Sequence, residues 1–148
     1  MITQQRIVQL AADAHGECWS HGCNVSEQTK KSQSACKRWQ ELVTKEFGRQ
    51  FTPEKAIGEN GAGQKIDLVD ETDRVAYELK ASKNNVHMEI YRDVFKALVF
   101  NRRNPGNTLG TLVFIAPKQG TDKLSPIFLT DVKAIAKTMK LELVVKGI

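Results

Sequence analysis

The sequence has no apolar run that approaches the roughly 18 residues of a membrane-spanning helix. Its first six residues lack the basic patch, apolar stretch and small-residue cleavage site of a secretory signal. Its 3 cysteines are an odd number and do not form an even disulfide framework, which is typical of a reducing compartment. These absences predict a cytoplasmic protein without a membrane anchor.

The sequence also contains no internal repeat, no low-complexity tract and no linker rich in proline or serine. With 148 residues, 41% of them hydrophobic and 26% charged, it has the size and composition of one globular domain. The glycine-rich stretch 58–63 lacks the Gly-Lys-Ser/Thr of a phosphate-binding loop and the strand-to-helix transition of a dinucleotide fingerprint. We therefore predict a turn there and no organic cofactor.

Positive charge is in modest excess, since 22 lysines and arginines stand against 17 aspartates and glutamates, for a formal charge of +5. This excess favours a polyanionic partner such as nucleic acid, although a solvated helix face carries similar charge. Two groups of basic residues are candidates for phosphate contacts, one near the second predicted helix and one along the third: Lys30, Lys31, Lys37, Arg38, Lys45, Arg49; and Arg92, Lys96, Arg102, Arg103.

Hydrophobic periodicity predicts an α/β protein. The predicted elements are a helix over 4–14 that ends at 15–16, a loop over 17–29, a helix from a cap at Ser32 or Ser34 to Gly48, strands over 51–57, 65–70 and 74–81, a helix over 87–101, a strand over 111–116, a helix over 130–140 capped by Thr130, and a strand over 141–146. In the helix over 87–101 the pattern places one group inward and another outward: Tyr91, Val94, Phe95, Leu98; and Glu89, Arg92, Asp93, Lys96.

The most informative segment is the predicted hairpin over residues 65–80. With Thr72-Asp73 as a two-residue loop, or with a four-residue loop, the residue numbers of facing positions sum to 145. Asp67 then lies opposite Glu78, and Lys65 opposite Lys80. Alternation along the strands assigns side chains to a core face and a charged face: Ile66, Leu68, Tyr77, Leu79; and Lys65, Asp67, Val69, Ala76, Glu78, Lys80.

The facing carboxylates suggest a metal site. Their Cβ atoms lie roughly 4.5–5.5 Å apart across such a pair, which is destabilising unless a positive charge lies between them. Mg²⁺ prefers oxygen ligands and often takes only one or two protein carboxylates together with substrate phosphate oxygens. Lys80 projects from the same face and is placed to orient a metal-bound water. The set predicts metal-assisted phosphodiester hydrolysis, and the simpler interpretation is a solvated, charged strand face.

Asp67, ten intervening residues and then Glu78-Leu79-Lys80 on adjoining strands resemble the motif of the PD-(D/E)xK nuclease superfamily. The order of elements from the second helix to the strand over 111–116 is also similar, although Ile66 stands where the family motif has proline. The resemblance implies a restriction-endonuclease-like mixed β-sheet core flanked by helices, in α-βββ-α-β order with an extra N-terminal helix and a C-terminal helix and strand. It implies one nuclease domain over 1–148, with an N-terminal helix and loop (1–34) and a catalytic core (35–148).

The resemblance also implies roles for individual residues. Asp67 and Glu78 are the expected metal-binding acids, the Leu79 carbonyl is a further metal ligand, and Lys80 is the catalytic lysine. The family often adds an acid from the preceding helix or first strand, for which Glu41, Glu46 and Glu59 are the candidates; Glu59 is nearest in sequence. The expected cofactor is Mg²⁺, with Mn²⁺ able to substitute.

The predicted activity is that of a Mg²⁺-dependent endodeoxyribonuclease, either restriction-type or junction-resolving. The chain has little room for a separate recognition domain, so we expect a homodimer that cuts both DNA strands. The alternative is a catalytically inactive nuclease-fold module that binds nucleic acid, or a subunit of a larger defence or repair complex.

A second group of metal-ligating residue types lies near the N-terminus: Cys18, His21, Cys23 and Cys36. Four such groups suffice for a structural zinc site. Their spacing argues against zinc, because His21 and Cys23 are separated by one residue and no C-x₂-C pair is present. We expect ordinary buried or free thiols instead.

Overall fold

The computed structural model describes residues 2–19, 24–58 and 63–148. Its elements are α1 (Ile2–Cys18), α2 (Val25–Phe47), a 3₁₀ turn (Gly48–Gln50), β1 (Phe51–Ala56), β2 (Lys65–Asp70), β3 (Val75–Leu79), α3 (Val86–Arg103), β4 (Thr111–Ala116), α4 (Lys118–Thr121), α5 (Pro126–Thr138) and β5 (Glu142–Gly147). Within these described ranges, none of the helices combines the length and the hydrophobicity needed to cross a membrane.

The strands form one mixed sheet in the order β1-β2-β3-β4-β5. The pairs β1/β2 and β2/β3 are antiparallel, whereas β3/β4 and β4/β5 are parallel. The parallel pairs are connected through helices, as parallel neighbours require. The predicted α/β class, with a mixed sheet flanked by helices, is confirmed.

Two hydrophobic cores lie on opposite faces of the sheet. Along β4, Val113 and Ile115 pack into the core beneath α1 and α2, while Leu112 and Phe114 pack into the core beneath α3 and α5. Such alternation is expected of a strand that is buried on both faces. The sheet is therefore the middle layer of three.

The structure corrects the prediction of a loop over residues 17–29. Helix α1 continues to Cys18, and α2 begins at Val25 instead of after Ser32 or Ser34. Asn24 caps α2, because its Oδ1 accepts a 2.9 Å hydrogen bond from the Glu27 amide while Glu27 accepts one of 3.2 Å from the Asn24 amide. This reciprocal capping box adds two helical turns to α2 before the predicted caps.

The start of α5 also differs from the prediction. Ser125, and not Thr130, is the N-cap, and its hydroxyl accepts a hydrogen bond from the Phe128 amide. Pro126 occupies the first helical position, where a missing N–H costs nothing. Thr130 lies within the helix and donates its hydroxyl to the Pro126 carbonyl at 2.8 Å.

The inward and outward faces predicted for α3 are wrong at four of the eight residues, whereas Val94 and Leu98 pack in or against the core as predicted. Tyr91 is 51% exposed and Phe95 is 69% exposed, although both were expected to face the core. Asp93 and Lys96 were expected to face solvent and are buried. The buried stripe advances in steps of four and three residues and carries a carboxylate at its centre: Val86, Ile90, Asp93, Ala97, Phe100.

Candidate active site

The hairpin register predicted from the sequence is confirmed. Leu68 pairs with Tyr77 and Asp70 with Val75, as the sum of 145 requires. The connecting loop has four residues, 71–74. Asp70 Oδ1 closes it by accepting hydrogen bonds of 2.9 Å from the amides of Thr72 and Asp73. An aspartate that bonds amides two and three residues ahead stabilises a turn.

Regular pairing between β2 and β3 ends one position before the two predicted metal ligands. At that point the Leu79 amide donates a 2.9 Å hydrogen bond to Asp67 Oδ2. The Asp67 carboxylate therefore replaces a backbone carbonyl as the hydrogen-bond acceptor between β2 and β3. This bond fixes the orientation of Asp67 relative to the Glu78-Leu79-Lys80 segment.

The other edge of β2 is irregular at the same level. Glu54 of β1 has φ 50°, in the left-handed region, between regular pairs on either side. The Asp67 carbonyl accepts a 2.7 Å hydrogen bond from Gln40 Nε2 of α2. A non-glycine residue at positive φ is strained, and such strain is concentrated at functional sites. Gln40 of α2 therefore bonds the backbone of Asp67 at the level where β1 and β2 have no regular pair.

The predicted assignment of hairpin side chains to two faces needs correction. Val69 and Ala76 were expected on the charged face but are buried in the core beneath α3. Ile66 belongs to that same core, whereas Leu68 packs beneath α1 and α2. Ile66 and Leu68, which flank Asp67, therefore lie on opposite faces of the sheet. In a regular strand they would lie on the same face, so this difference agrees with the irregular backbone at Asp67. The charged side chains of the predicted motif therefore lie at the end of the hairpin that holds Asp67 and Glu78.

A cleft of about 1040 Å³ opens at this end of the hairpin, between α2 and α3. Asp67, Glu78, Leu79 and Lys80 all line it, so the structure brings together the four residues of the predicted motif. The remaining lining residues come from α2, β1, the segment after β3 and α3: Thr29, Ser32, Gln33, Cys36, Lys37, Gln40; Pro53, Glu54; Ala81, Ser82; Glu89, Arg92, Asp93.

Glu78 is the most deeply buried acid of the motif, and its side chain is 4% exposed. Lys96 Nζ lies 2.5 Å from Glu78 Oε1 and 3.2 Å from Asp93 Oδ1. Burial raises the pKa of Glu78 well above its ordinary value, and the nearby charges of Asp67 and Asp93 raise it further, against the opposing effect of Lys96. Burial also raises the pKa of Asp93. The two acids share one buried ammonium group.

Lys80 has a different ionic partner. Its Nζ lies 3.8 Å from Glu89 Oε1, and its side chain is 17% exposed. Glu89 also pairs with Arg92, which in turn reaches Asp93 Oδ1 at 3.5 Å. The backbone of Lys80 is held by a 2.9 Å hydrogen bond from its amide to the Ile115 carbonyl of β4. Lys80 is therefore anchored by its main chain, while its ammonium group remains accessible from the cleft.

Two of the three candidates for an additional acid, Glu41 and Glu46, do not join this group. Glu41 pairs with Arg38 at 3.9 Å, Glu46 pairs with Arg6 at 2.8 Å, and neither lines the cleft. Glu59 lies outside the described residues. The acids that do line the cleft besides the motif pair are Glu54, Glu89 and Asp93.

The sequence analysis missed Gln40, Asp93 and Lys96. Asp93 left a visible signal, because it interrupts an apolar series in the helix with a charge. Lys96 lies three residues further along, one turn from Asp93, where an ion pair is favourable. Gln40 left no signal, since the acceptor of its amide is a backbone carbonyl 27 residues away.

The cysteines give the zinc hypothesis no support. Burial raises the pKa of the Cys36 thiol, and the negative charge of Asp67 and a hydrogen bond with it act in the same direction. A neutral thiol is a poor metal ligand. Cys18 is partly exposed, and His21 and Cys23 lie outside the described residues.

Asp67 and Glu78 offer carboxylate oxygens of the kind that Mg²⁺ binds. Glu78 Oε1 is buried and makes no hydrogen bond of acceptable geometry with any described residue, which leaves its charge incompletely satisfied. Over the described ranges, no three His, Cys, Asp or Glu side chains are grouped closely enough to hold a metal by themselves. Two carboxylates completed by water and phosphate oxygens fit Mg²⁺ better than an ion that requires an all-protein cage.

No protein-family model matches the chain, and no curated protein and no solved structure matches it either. The arrangement of the described residues is therefore the basis on which a function is inferred.

Proposed function

We propose that this protein is a Mg²⁺-dependent endodeoxyribonuclease that hydrolyses DNA phosphodiester bonds in the cleft between α2 and α3. The observation that carries the proposal is that Asp67, Glu78, Leu79 and Lys80 line one cleft, with Asp67 oriented by the Leu79 amide. These contacts support the proposal alongside the resemblance of the sequence motif to the PD-(D/E)xK nucleases.

Asp67 and Glu78 are the proposed metal ligands, with the Leu79 carbonyl as a third. The ion would supply Lewis-acid stabilisation of the scissile phosphate and a water of lowered pKa. Lys80 donates a hydrogen bond to the attacking water or to a phosphate oxygen, and its anchored backbone directs it there. The Leu79 amide holds Asp67 in place throughout.

Basic side chains beside the acids of the cleft support a nucleic-acid substrate. Lys37 of α2 and Arg92 of α3 both line the cleft, in a chain of formal charge +5. Of the basic residues considered for phosphate contacts, Lys96 is excluded because it is buried against two acids. A second copy of the chain would bring a second cleft to the other strand, as either restriction-type or junction-resolving cleavage requires.

Cleavage of supercoiled plasmid tests the proposal. Wild-type protein is incubated with Mg²⁺, with Mn²⁺ and with EDTA, beside Asp67→Ala and the matched control Asp122→Ala, whose carboxylate pairs with Lys118 away from the cleft. We expect cleavage that requires the metal, is lost in Asp67→Ala and persists in Asp122→Ala. A linear duplex and a four-way junction of equal length then distinguish restriction-type from junction-resolving activity.

The alternative is a nuclease-fold module that binds DNA without cutting it, alone or within a larger complex. The buried ion pair of Glu78 and Lys96 favours this alternative, because one acid of the motif is already paired with a lysine of the protein. Salt-sensitive DNA binding with no cleavage in Mg²⁺ or Mn²⁺ would replace the first proposal by this one.

A further inference from the structure

Glu78 is paired with a lysine from outside the motif. Lys96 of α3 reaches Glu78 Oε1 at 2.5 Å, whereas the motif lysine, Lys80, pairs with Glu89. Both side chains of the Glu78–Lys96 pair are less than one tenth exposed. A buried acid and a buried base in contact exclude the solvent that would otherwise weaken their attraction.

Lys96 forms ion pairs with two carboxylates, those of Glu78 and Asp93. Asp93 Oδ1 is 3.2 Å from its Nζ, and the negative charges of Glu78, Asp93 and Asp67 together raise the pKa of Lys96 against the effect of burial. Its ammonium group therefore contacts the carboxylates of both Glu78 and Asp93. A divalent cation bound by Asp67 and Glu78 would enter the same region.

We propose that Lys96 is a positioning residue that holds Glu78 in the metal-free protein and competes with the divalent cation for its carboxylate, so that Lys96 sets the metal affinity of the site. This inference rests on the proposed function, because it assumes that Glu78 is a metal ligand. The metal-bound state then has Lys96 directed toward Asp93, its second partner.

Three observations support competition over a merely structural ion pair. Glu78 Oε1 lies 2.5 Å from Lys96 Nζ and has no other partner among the described residues, so it keeps a lone pair for a metal ion. The stem of lysine is flexible and its ammonium is a point charge, which allows the move between two acids. Asp93 lies one turn from Lys96 on the same helix and stays within reach during that move.

Metal binding to Lys96→Met tests the inference, since methionine keeps most of the stem volume and removes the charge. Isothermal titration with MnCl₂ compares wild type, Lys96→Met, Lys96→Arg and the control Lys55→Met, whose ammonium pairs with Glu71 outside the cleft. We expect Lys96→Met to bind Mn²⁺ about tenfold more tightly, a typical coupling between competing ligands. Lys96→Arg and Lys55→Met should bind as wild type does.

Thermal unfolding in EDTA and in Mn²⁺ supplies a second readout. Without its counter-charge, the Lys96→Met protein should unfold at a lower temperature in EDTA, and Mn²⁺ should raise its Tm by more than it raises that of wild type. Lys96→Gln replaces Lys96→Met in both measurements if the methionine variant does not fold, because the amide keeps a hydrogen-bond donor.

The outcomes separate this inference from the proposed function. Equal or weaker Mn²⁺ binding by the charge-removing variant, with wild type binding and cutting normally, overturns the inference and leaves the nuclease in place. Binding by the variant but not by wild type supports competition even if wild type does not cut. Absence of Mn²⁺ binding by both proteins overturns the inference and the metal-dependent function together.

Discussion

The amide of Leu79 donates a 2.9 Å hydrogen bond to the carboxylate of Asp67, at the point where β2 and β3 cease to pair through their backbones. The middle residue of the Glu78-Leu79-Lys80 segment thus orients the acid on the neighbouring strand through its main chain. Because the bond does not involve the Leu79 side chain, the geometry of the motif depends on the backbone path of β3 more than on the identity of that residue.

Lys80→Ala should slow cleavage strongly while leaving metal binding intact. Loss of a general acid–base group typically costs about 10²- to 10⁴-fold in rate. The control is Lys83→Ala, which removes a lysine three residues later whose ammonium bonds Gln119. Plasmid cleavage rates and Mn²⁺ titrations of both variants provide the comparison. Cleavage by Lys80→Ala at the wild-type rate would remove Lys80 from the mechanism.

Gln40→Ala should destabilise the protein, because the carbonyl of Asp67 loses a 2.7 Å bond that β1 does not replace. We expect a loss of about 1 kcal/mol in the free energy of unfolding, the typical contribution of one hydrogen bond, since the carbonyl is only partly buried. Glu41→Ala, at the next position and in an exposed ion pair of 3.9 Å, should cost less than about 0.5 kcal/mol. Urea denaturation measures both, and equal losses would contradict the role given to Gln40.

Glycine at position 54 should give a more stable protein than valine, which is the reverse of the usual order in a strand. The Glu54 φ of 50° is strained for a β-branched residue and free of strain for glycine. We expect Glu54→Gly to be more stable than Glu54→Val by about 1–3 kcal/mol. The same pair of substitutions at Ala56, which pairs regularly with Lys65 in this strand, should favour valine. Urea denaturation of the four variants tests the backbone conformation beside the cleft.

Glu71 should stabilise the protein at neutral pH but not in acid. Partial burial alone would raise the pKa of Glu71, but hydrogen bonds from Lys55 and Thr52 and the charges of Lys55 and Arg74 outweigh it and lower that pKa below 4.5. The stabilisation is therefore complete above pH 4.5 and is lost as the pH falls through the lowered value.

The variant Glu71→Gln tests this pH dependence. It should lose about 0.5 kcal/mol at pH 7, a small amount because solvent screens a partly exposed pair, and nothing at about pH 2. Unfolding free energies of wild type and variant across this range give the difference at each pH. A difference that does not change with pH would assign the effect of the substitution to packing.

Local signals explain why the hairpin could be predicted. A short polar loop and alternation of apolar residues determine the pairing of Leu68 with Tyr77, and that register brings Asp67 to the level of Glu78. The same reasoning failed for the faces of the hairpin at Ile66 and Val69, because it assumed a regular strand. Gln40 of α2 and the left-handed Glu54 make β2 irregular, and neither effect is local in sequence.

Helix α3 shows a second limit. Two apolar stripes are compatible with its sequence, one through Tyr91 and Phe95 and one through Ile90 and Ala97. Periodicity alone favours the more aromatic stripe, because the other stripe places a charged residue in the core. The structure buries Asp93 beside Lys96, which compensates the negative charges of both Asp93 and Glu78, and only the packing of α3 on the sheet brings Glu78 to that place.

The sequence by itself determined the elements and the motif: an α/β order, one hairpin register, and two acids with a lysine at matching levels, since each depends on residues near one another in the chain. Only the tertiary structure decided the environment of the motif. It joined α2 to Asp67 through Gln40 and α3 to Glu78 through Lys96, and it left Glu41 and Glu46 outside the cleft. Burial and charge compensation are properties of the packed sheet and helices, and they arise from contacts between distant segments.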